Sequence, residues 1–480
     1  MALLAAALYV PSLAHDFVID DTYYIGDNRA VTEGVPLARY FTDRSTTASR
    51  ADFAWQSYRP VRTVGFRVLV AAFGARPLPF GVANLVLYVL AIALVAALAW
   101  KLTGDRAAAL AATALWALLP VHVEPVVYAS ALGDHLSLVL QLLAFFAAAH
   151  AMMERRHAAL LAVASLMLAA LAMGAKEMAI TEGPILAAGV ACIWRRLQPD
   201  ARRRAVAIVV AHAIVTLAFL VVRTRVIGAV GQGAITTLTA RIALRAIPIY
   251  LWKYLEVILA PLGHAAAYGP VPLERWRAAL AWMGVLAVAV ALWRARRVTL
   301  TFAAAWFALS LVPVLHVVPL LAYYADRFAY VPSVGVVLAV ADALSAATRL
   351  RRVAFAAVVL VAVVYAAAVV VEARAWQTEL TLWGHAADVE PDAALARSNY
   401  GIHLLRARRP ADALVELEAA RRIAGAGPSL SMQVALAYEQ LGRFAEAEAA
   451  ARASLAAEDS PDGRRILERI RAKASAAPRR

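Results

Sequence analysis

Long apolar runs dominate this chain and limit what it can fold into. A helix of about 20 apolar residues is long enough to cross roughly 30 Å of hydrocarbon. Because 62% of the residues are hydrophobic and only 17% are charged, one soluble core could not bury so much apolar surface. The sequence therefore predicts an all-α, polytopic membrane protein with about eleven spans. The predicted spans are 1–14, 79–100, 106–119, 136–153, 158–175, 179–194, 205–222, 277–293, 299–320, 328–345 and 353–372.

Basic residues between these runs indicate the orientation of the chain. The net charge of +15 would suggest a nucleic-acid partner on a soluble protein. Here fifteen Lys and Arg residues form five clusters in alternate loops, so we expect no nucleic-acid binding and place these loops in the cytoplasm. The N-terminus is then cytoplasmic, and residues 15–78, 120–135, 223–276, 321–327 and the tail are outside. The clusters are Lys101 and Arg106; Arg155 and Arg156; Arg195, Arg196, Arg202, Arg203 and Arg204; Arg294, Arg296 and Arg297; and Arg349, Arg351 and Arg352.

One further stretch, 243–262, is also apolar enough to span the membrane. Counting it as a span would move the tail to the cytoplasmic side. We favour an interfacial or re-entrant helix, because the stretch carries Arg245, Pro248, Lys253 and Glu256 and because this choice preserves the alternating charge pattern.

The polar tail repeats with a period of 34 residues. Leu404 corresponds to Tyr438, and Ala413 corresponds to Ala447. This period, with small residues at the helix contacts, is typical of tetratricopeptide (TPR) repeats. We predict a membrane domain at 1–372 and a TPR-like helical domain at 373–480. An alanine-rich helical hairpin without a binding function is the alternative.

Two adjacent carboxylates follow the first predicted span, in the outer loop 15–78. Asp20 and Asp21 lie close to the membrane interface, where a carboxylate could act as a general base toward a hydroxyl group. The alternative is a solvated loop in which one of the acids caps a helix.

Basic side chains recur in the outer segments. Arg59 and Arg62 are three residues apart, so a helix would present them on one face, where planar guanidinium groups suit phosphate binding. They could also be interfacial arginines that extend toward water. Lys176 and Glu177 separate two spans and could form a pair within that loop.

Other ionisable residues lie near helix ends, where charge at membrane depth is costly and therefore a sign of function. They are His122, Glu124, Asp134, Asp326 and Arg327. The His-x-Glu spacing alone is a weak metal signal, and the single Cys192 excludes both a disulfide framework and a cysteine-based zinc site. We therefore predict no metal site.

The ordered succession of these motifs resembles a known family. The series is DD, SYRP with FR, PVHVE, AKE with IT, DRF with YVPSVG, and then TPR-like repeats. It is similar to the TMTC family, the transmembrane, TPR-containing O-mannosyltransferases of the GT-C superfamily. The resemblance runs from about Phe17 to the end of the tail.

The resemblance implies a function and roles for the residues that match. Enzymes of this superfamily use an acidic residue in the first outer loop and a polyprenyl-phosphate sugar donor, generally without a metal or other cofactor. Asp20 would be the base, and Asp21 would orient it or contact the sugar. Arg59, Lys176 and Arg327 match basic positions that could hold the lipid phosphate, and His122 with Glu124 match a further family motif.

The chain also departs from the family pattern. Leu119 and Leu132 stand where the family usually has His and Arg, and Gly81 and Tyr88 replace histidines. The repeat array is shorter than in the animal proteins. These departures leave the sugar and the acceptor open.

The resemblance predicts an inverting, metal-independent glycosyltransferase. The alanine- and arginine-rich composition suggests a bacterial inner membrane, and the charge pattern makes the site and tail extracytoplasmic. Its partners would be membrane lipids, the polyprenyl-phosphate donor and a protein or glycan acceptor recruited by the TPR domain, most simply in mannosyl-type protein O-glycosylation. The alternatives are a non-catalytic TPR assembly factor, a transporter of lipid-linked saccharides, and a ligase.

Overall fold

A computed structural model describes residues 2–50, 57–154, 156–228, 240–316 and 322–476. Within these ranges every regular element is a helix. The chain divides into two compact units. The membrane unit comprises Met1–Leu262, Pro272–Leu321 and Asp326–Trp376. The tail unit comprises Gly263–Val271, Ala322–Ala325 and Gln377–Arg480.

Seven helices in the described part of the chain are long and apolar enough to cross a membrane. This agrees with seven of the predicted runs, and the chain is an integral membrane protein. The seven helices are Pro77–Thr103, Ala129–Met153, Ala158–Ala175, Glu177–Arg196, Pro199–Ile227, Arg275–Ala295 and Arg351–Ala375.

The remaining predicted spans are shorter or broken. The run 106–119 forms Arg106–Trp116, which together with Pro120–Val127 is a helix pair bent by 62°. The runs 299–320 and 328–345 contain the shorter apolar helices Val298–Val314 and Ser333–Ala346, and residues 317–320 lie outside the described ranges.

The first predicted span, 1–14, is not one continuous helix. It forms an α-helix at Ala2–Ala7 and a 3-10 helix at Val10–Ala14, with Pro11 near the start of the second segment. Proline lacks the N–H that a continuing α-helix would need at that position. The total of eleven spans therefore stays a prediction.

Residues 243–259 of the ambiguous stretch 243–262 lie in the helix Ala240–Leu259, which is not among the seven apolar helices. It packs against Arg275–Ala295. The indole N–H of Trp252 donates to the Ala281 carbonyl (3.0 Å), and that of Trp282 donates to the Leu244 carbonyl (2.9 Å). Its interfacial or re-entrant placement stays a prediction.

A close helix contact at Gly133 positions two charged residues. A Cβ atom on Gly133 would lie 2.7 Å from the carbonyl oxygen of Ala175, so only glycine allows this approach. The residues that follow are Asp134, within the helix, and Lys176, just after the end of the helix Ala158–Ala175. The close contact brings them together, and they form a buried ion pair.

The first outer loop is packed rather than loosely solvated. The Asn28 amide donates to the Tyr24 carbonyl (3.2 Å) and to the Thr46 carbonyl (3.0 Å). The guanidinium of Arg67 donates to the carbonyls of Val31 (3.1 Å) and Thr32 (2.9 Å). The Asn28 bonds hold parts of the loop together, and the Arg67 bonds attach the loop to the helix Pro60–Phe73. The loop also contains short helices at Arg29–Thr32 and Leu37–Thr42.

The tail unit consists of successive packed helices. Helix contacts use small residues: a Cβ atom on Gly401 would lie 2.6 Å from a side-chain carbon of Leu417. Ala413 and Ala447, which the 34-residue period aligns, are both fully buried. Assignment of these helices to TPR repeats, and the domain boundary at 372, stay predictions. The helices are Glu379–Val389, Ala394–Arg406, Pro410–Ala424, Pro428–Gln440, Phe444–Ala457 and Pro461–Ala476.

We expect Gly133→Ala to lower the free energy of unfolding by about 1–3 kcal/mol, because the added methyl group would overpack a backbone contact. Thermal unfolding of the purified protein in detergent measures this. Gly183→Ala is the matched control, since a Cβ atom there would lie 3.6 Å from its nearest neighbour, His212, which is an ordinary contact. Equal melting temperatures for the two variants would contradict this account of the helix contact.

Candidate active site

The two acidic residues of the first outer loop have different surroundings. Asp21 is fully buried, and its carboxylate accepts hydrogen bonds from the backbone N–H groups of Val18 (3.1 Å) and Ser130 (2.7 Å). Asp20 is half-buried. Asp21 therefore connects the loop to the segment around Ser130, whereas Asp20 keeps access to solvent.

The turn that carries Asp20 is strained. Ile19, the residue before it, has φ of 54°. This left-handed region is unfavourable for a β-branched residue, and such strain is found mainly where the surrounding structure imposes it, often at functional sites. The hydrogen bonds of Asp21 are the local contacts that hold this turn.

Burial also changes the acidity of Asp21. Removal from water raises the pKa of this carboxyl group to about 7, and the hydrogen bonds from Ser130 and Val18 only partly oppose that effect. The neighbouring Asp20 carboxylate accounts for a smaller part of this rise in the pKa of Asp21. The pair is thus a structural carboxyl group beside a more accessible one.

The three basic residues that were predicted to hold a lipid phosphate each pair with a carboxylate. The Nε of Arg59 lies 2.7 Å from Oε2 of Glu177, and Oε1 of Glu177 accepts from the Tyr58 N–H (2.7 Å). Lys176 pairs with Asp134, not with its chain neighbour Glu177. These charges are therefore fixed in position by partners from other segments.

The third pair joins Arg327 to Glu124. The guanidinium and the backbone N–H of Arg327 both donate to the Glu124 carboxylate, which is 2% exposed. Asp326, the preceding residue, is also buried. Burial alone would lower the pKa of Arg327, but the adjacent Glu124 carboxylate raises it, so the guanidinium stays charged.

Arg62 differs from these three cations. It is 1% exposed, and its Nε and Nη2 have no hydrogen-bond partner among the residues that the structure describes. Its guanidinium lies over the rings of Tyr24 (4.4 Å) and Phe66 (5.2 Å). Arg59 precedes the helix Pro60–Phe73 while Arg62 lies within it, so the two do not form the exposed helical pair that their spacing predicts.

His122 is fully buried in a hydrogen-bonded aromatic cluster. Its Nδ1 lies 3.1 Å from the hydroxyl of Tyr88, and its Nε2 lies 3.0 Å from the hydroxyl of Ser333. The indole N–H of Trp116 donates to the same Ser333 hydroxyl (2.7 Å). Tyr88, which replaces a family histidine, thus contributes to this cluster.

Tyr128 lies within electrostatic range of both the acidic pair and Arg327. Burial raises the pKa of its phenol well above the ordinary value, Asp20 and Asp21 raise it further, and Arg327 lowers it. Asp134 in turn lies close enough to stabilise the charge of both Arg59 and Arg327. The structure therefore brings together residues from the first outer loop and from the segments around 124, 134, 177 and 327.

Several residues of this site were not among the predicted site residues, although Ser333 lies within the YVPSVG motif. Ser130 contacts Asp21 through its backbone N–H, which any residue except proline could provide. Tyr24 and Ser333 act through a ring face and a hydroxyl. Tyr128 and Ser130 lie in the same stretch as Glu124 and Asp134. Their position beside these predicted residues was the sequence feature that could have identified them.

Comparisons with known proteins bear on this arrangement. No protein-family model matches the chain. The chain is 35% identical over 179 residues to the protein O-mannosyl-transferase Tmtc1 of Drosophila melanogaster, a match that covers 37% of this chain and 21% of that protein. It is 32% identical over 150 residues to the protein O-mannosyl-transferase TMTC1 of Homo sapiens, covering 30% of this chain and 17% of that protein. The resemblance predicted from the motifs is confirmed.

These matches are partial. The chain spans only about a fifth of the length of the curated relatives that it matches.

Among solved structures, it is similar to ArnT from Cupriavidus metallidurans bound to undecaprenyl phosphate, with 14% identity and a TM-score of 0.42. That alignment covers 99% of this chain and 87% of that one.

We expect Arg327→Met to lower the free energy of unfolding by about 3–5 kcal/mol, because it leaves the buried Glu124 carboxylate without its cation. The double variant Arg327→Met/Glu124→Gln should recover most of this loss. Thermal unfolding of the single and double variants measures the coupling. The control is the exposed pair Arg39–Asp43, where Arg39→Met should cost at most about 1 kcal/mol. A similar small cost at Arg327 would show that the pair is not structurally important.

The raised pKa of Asp21 predicts a pH-dependent stability. An acid whose pKa is raised on folding favours the folded state when protonated, so this contribution is complete below the ordinary value of 3.8 and is lost as the pH rises to about 7. We expect the melting temperature of the wild type to fall between about pH 4 and pH 7, and Asp21→Asn to lack this component of the fall. Parallel pH profiles for the two proteins would contradict the assignment.

Proposed function

We propose that the chain is a membrane glycosyltransferase that moves a sugar from a polyprenyl-phosphate donor to a hydroxyl acceptor at its extracytoplasmic face. The observation that carries this proposal is the position of Asp20. It is a half-buried carboxylate on a strained turn, fixed by Asp21 and sharing Tyr128 as an electrostatic neighbour with Arg327. The partial similarity to protein O-mannosyl-transferases supports the same class of reaction.

Asp20 would act as the general base. Its carboxylate would accept the proton of the acceptor hydroxyl while that oxygen forms a bond to the anomeric carbon of the sugar. The bond between the anomeric carbon and the phosphate oxygen would break, and the phosphate would keep its electron pair. Attack from the face opposite the leaving group would invert the anomeric configuration.

The cations of the site would stabilise the departing lipid phosphate. Negative charge on that phosphate grows in the transition state, so positive charges already fixed in place lower the barrier without reorganisation. Arg59, Lys176 and Arg327 are each held by a carboxylate, which positions them but also offsets their charge. Arg62 adds a buried positive charge near Arg59, and within the described ranges its Nε and Nη2 have no hydrogen-bond partner.

The finer assignments rest on the family resemblance. We propose a mannosyl-type donor, a protein acceptor recruited by the TPR-like tail, and a bacterial inner membrane as the location. We propose that the reaction needs no metal or cofactor.

We expect Asp20→Asn to reduce sugar transfer by about 10²–10⁴-fold, because the amide cannot accept the acceptor's proton. The measurement is transfer from a panel of polyprenyl-phosphate sugars to a hydroxyl acceptor by purified protein. Asp16→Asn is the matched control: it is an exposed acid in the same loop, and its variant should keep the wild-type rate.

Melting temperatures of both variants should stay close to that of the wild type, since Asp20 is not the buried member of the pair. Transfer by Asp20→Asn at the wild-type rate would refute its role as the base. A wild type that binds but never transfers any donor sugar would favour the transporter or assembly-factor alternatives.

A further inference from the structure

A basic cleft lies in the membrane unit at the start of the helix Arg351–Ala375. Its volume is about 730 Å³. It is lined by Ala107, at the beginning of the helix Arg106–Trp116, and by a continuous segment, 348–353, together with Phe355. None of these residues belongs to the candidate active site.

Three arginines line this cleft, and they differ in their partners. Arg351 forms an ion pair with Asp105 (Nη1–Oδ2 2.9 Å), and its Nη2 donates to the other carboxylate oxygen (3.2 Å). Arg349 and Arg352 are exposed, and within the described ranges neither has a carboxylate at ion-pair distance. The cleft therefore carries two positive charges that no acidic side chain of the described chain neutralises.

The wall of the cleft is held in place by Asp105. Its Oδ1 accepts hydrogen bonds from the N–H groups of Ala107 (3.0 Å) and Ala108 (3.1 Å), which caps one helix, while the same carboxylate holds Arg351 at the start of the other. Two helix N-termini thus meet at this point. Their aligned peptide dipoles add positive potential to that of the arginines.

The apolar residues around the arginines indicate what kind of anion fits. Leu350 and Val353 are 66% and 64% exposed, and the guanidinium of Arg351 lies 5.4 Å from the centre of the Phe355 ring. Arg351–Ala375 is one of the seven apolar helices, so its first turn lies where a membrane span begins. A site that combines cations with exposed aliphatic side chains at that level matches an amphipathic anion better than a free one.

We propose that this cleft binds the phosphodiester headgroup of an anionic phospholipid, with Arg349 and Arg352 contacting the phosphate and Leu350 and Val353 contacting the acyl chains. Arginine suits this ligand because its planar fork donates two parallel hydrogen bonds to phosphate oxygens. The proposal is independent of the sugar-transfer reaction, since no residue of the cleft takes part in that site.

The test measures binding of phosphatidylglycerol to the purified full-length protein by native mass spectrometry, with phosphatidylcholine as the neutral comparison. We expect Arg349→Gln/Arg352→Gln to weaken phosphatidylglycerol binding by about 30-fold, about a factor of five for each arginine near a membrane surface. Binding of phosphatidylcholine should not change. The Asp105–Arg351 pair is left intact, and the melting temperature reports that the variant is folded.

The matched control is Arg195→Gln/Arg196→Gln, which removes two exposed arginines from another predicted cytoplasmic cluster. Only the first double variant should lose phosphatidylglycerol. The proposal would be overturned if both variants lost phosphatidylglycerol binding equally, or if neither lost it. Either result means that the cleft binds this lipid no better than the general positive charge of the predicted cytoplasmic face does. Displacement of phosphatidylglycerol by an equal concentration of inorganic phosphate would also overturn it, since the site would then recognise free phosphate.

Discussion

The buried carboxylate of Asp21 is the contact on which the candidate site depends. It accepts hydrogen bonds from the backbone N–H groups of Val18 and Ser130, which lie three and 109 residues away from Asp21 in the sequence. A charged or partly charged group in the interior is costly unless such bonds are made. Because these bonds fix the turn, the strained backbone at Ile19 and the accessible position of Asp20 follow from them.

The charged residues of the site occur in pairs, so their positions describe the site better than their net charge does. Arg59, Lys176 and Arg327 each contact a carboxylate from another segment, so the site contains fixed ion pairs rather than an open basic patch. Buried ion pairs contribute little to stability compared with apolar packing, but they specify geometry. The proposed transfer reaction would use this fixed geometry to place the anionic donor beside Asp20.

The sequence predicted the helices and the segments of the site, but not its pairings. Long apolar runs identify spans because only a helix satisfies its own backbone in lipid. The ion-pair partners of Lys176 and Glu177 could not be predicted from the fact that these two residues are neighbours in the sequence. Their side chains pair in different directions, Lys176 with Asp134 and Glu177 with Arg59, and both partners come from distant segments. The burial of Asp21 was also beyond prediction, because its partner Ser130 contributes only a backbone N–H. Pro11 was the visible sign that the run 1–14 would break.

The most direct test of the account is the stereochemical course of sugar transfer by the purified wild-type protein. The protein would be incubated with a polyprenyl-phosphate mannose of known anomeric configuration and a hydroxyl acceptor, and the product would be examined by NMR. The account predicts a new glycosidic bond with the inverted anomeric configuration, formed with a chelator present. A product with retained configuration, or transfer that requires an added metal ion, would contradict direct displacement assisted by Asp20.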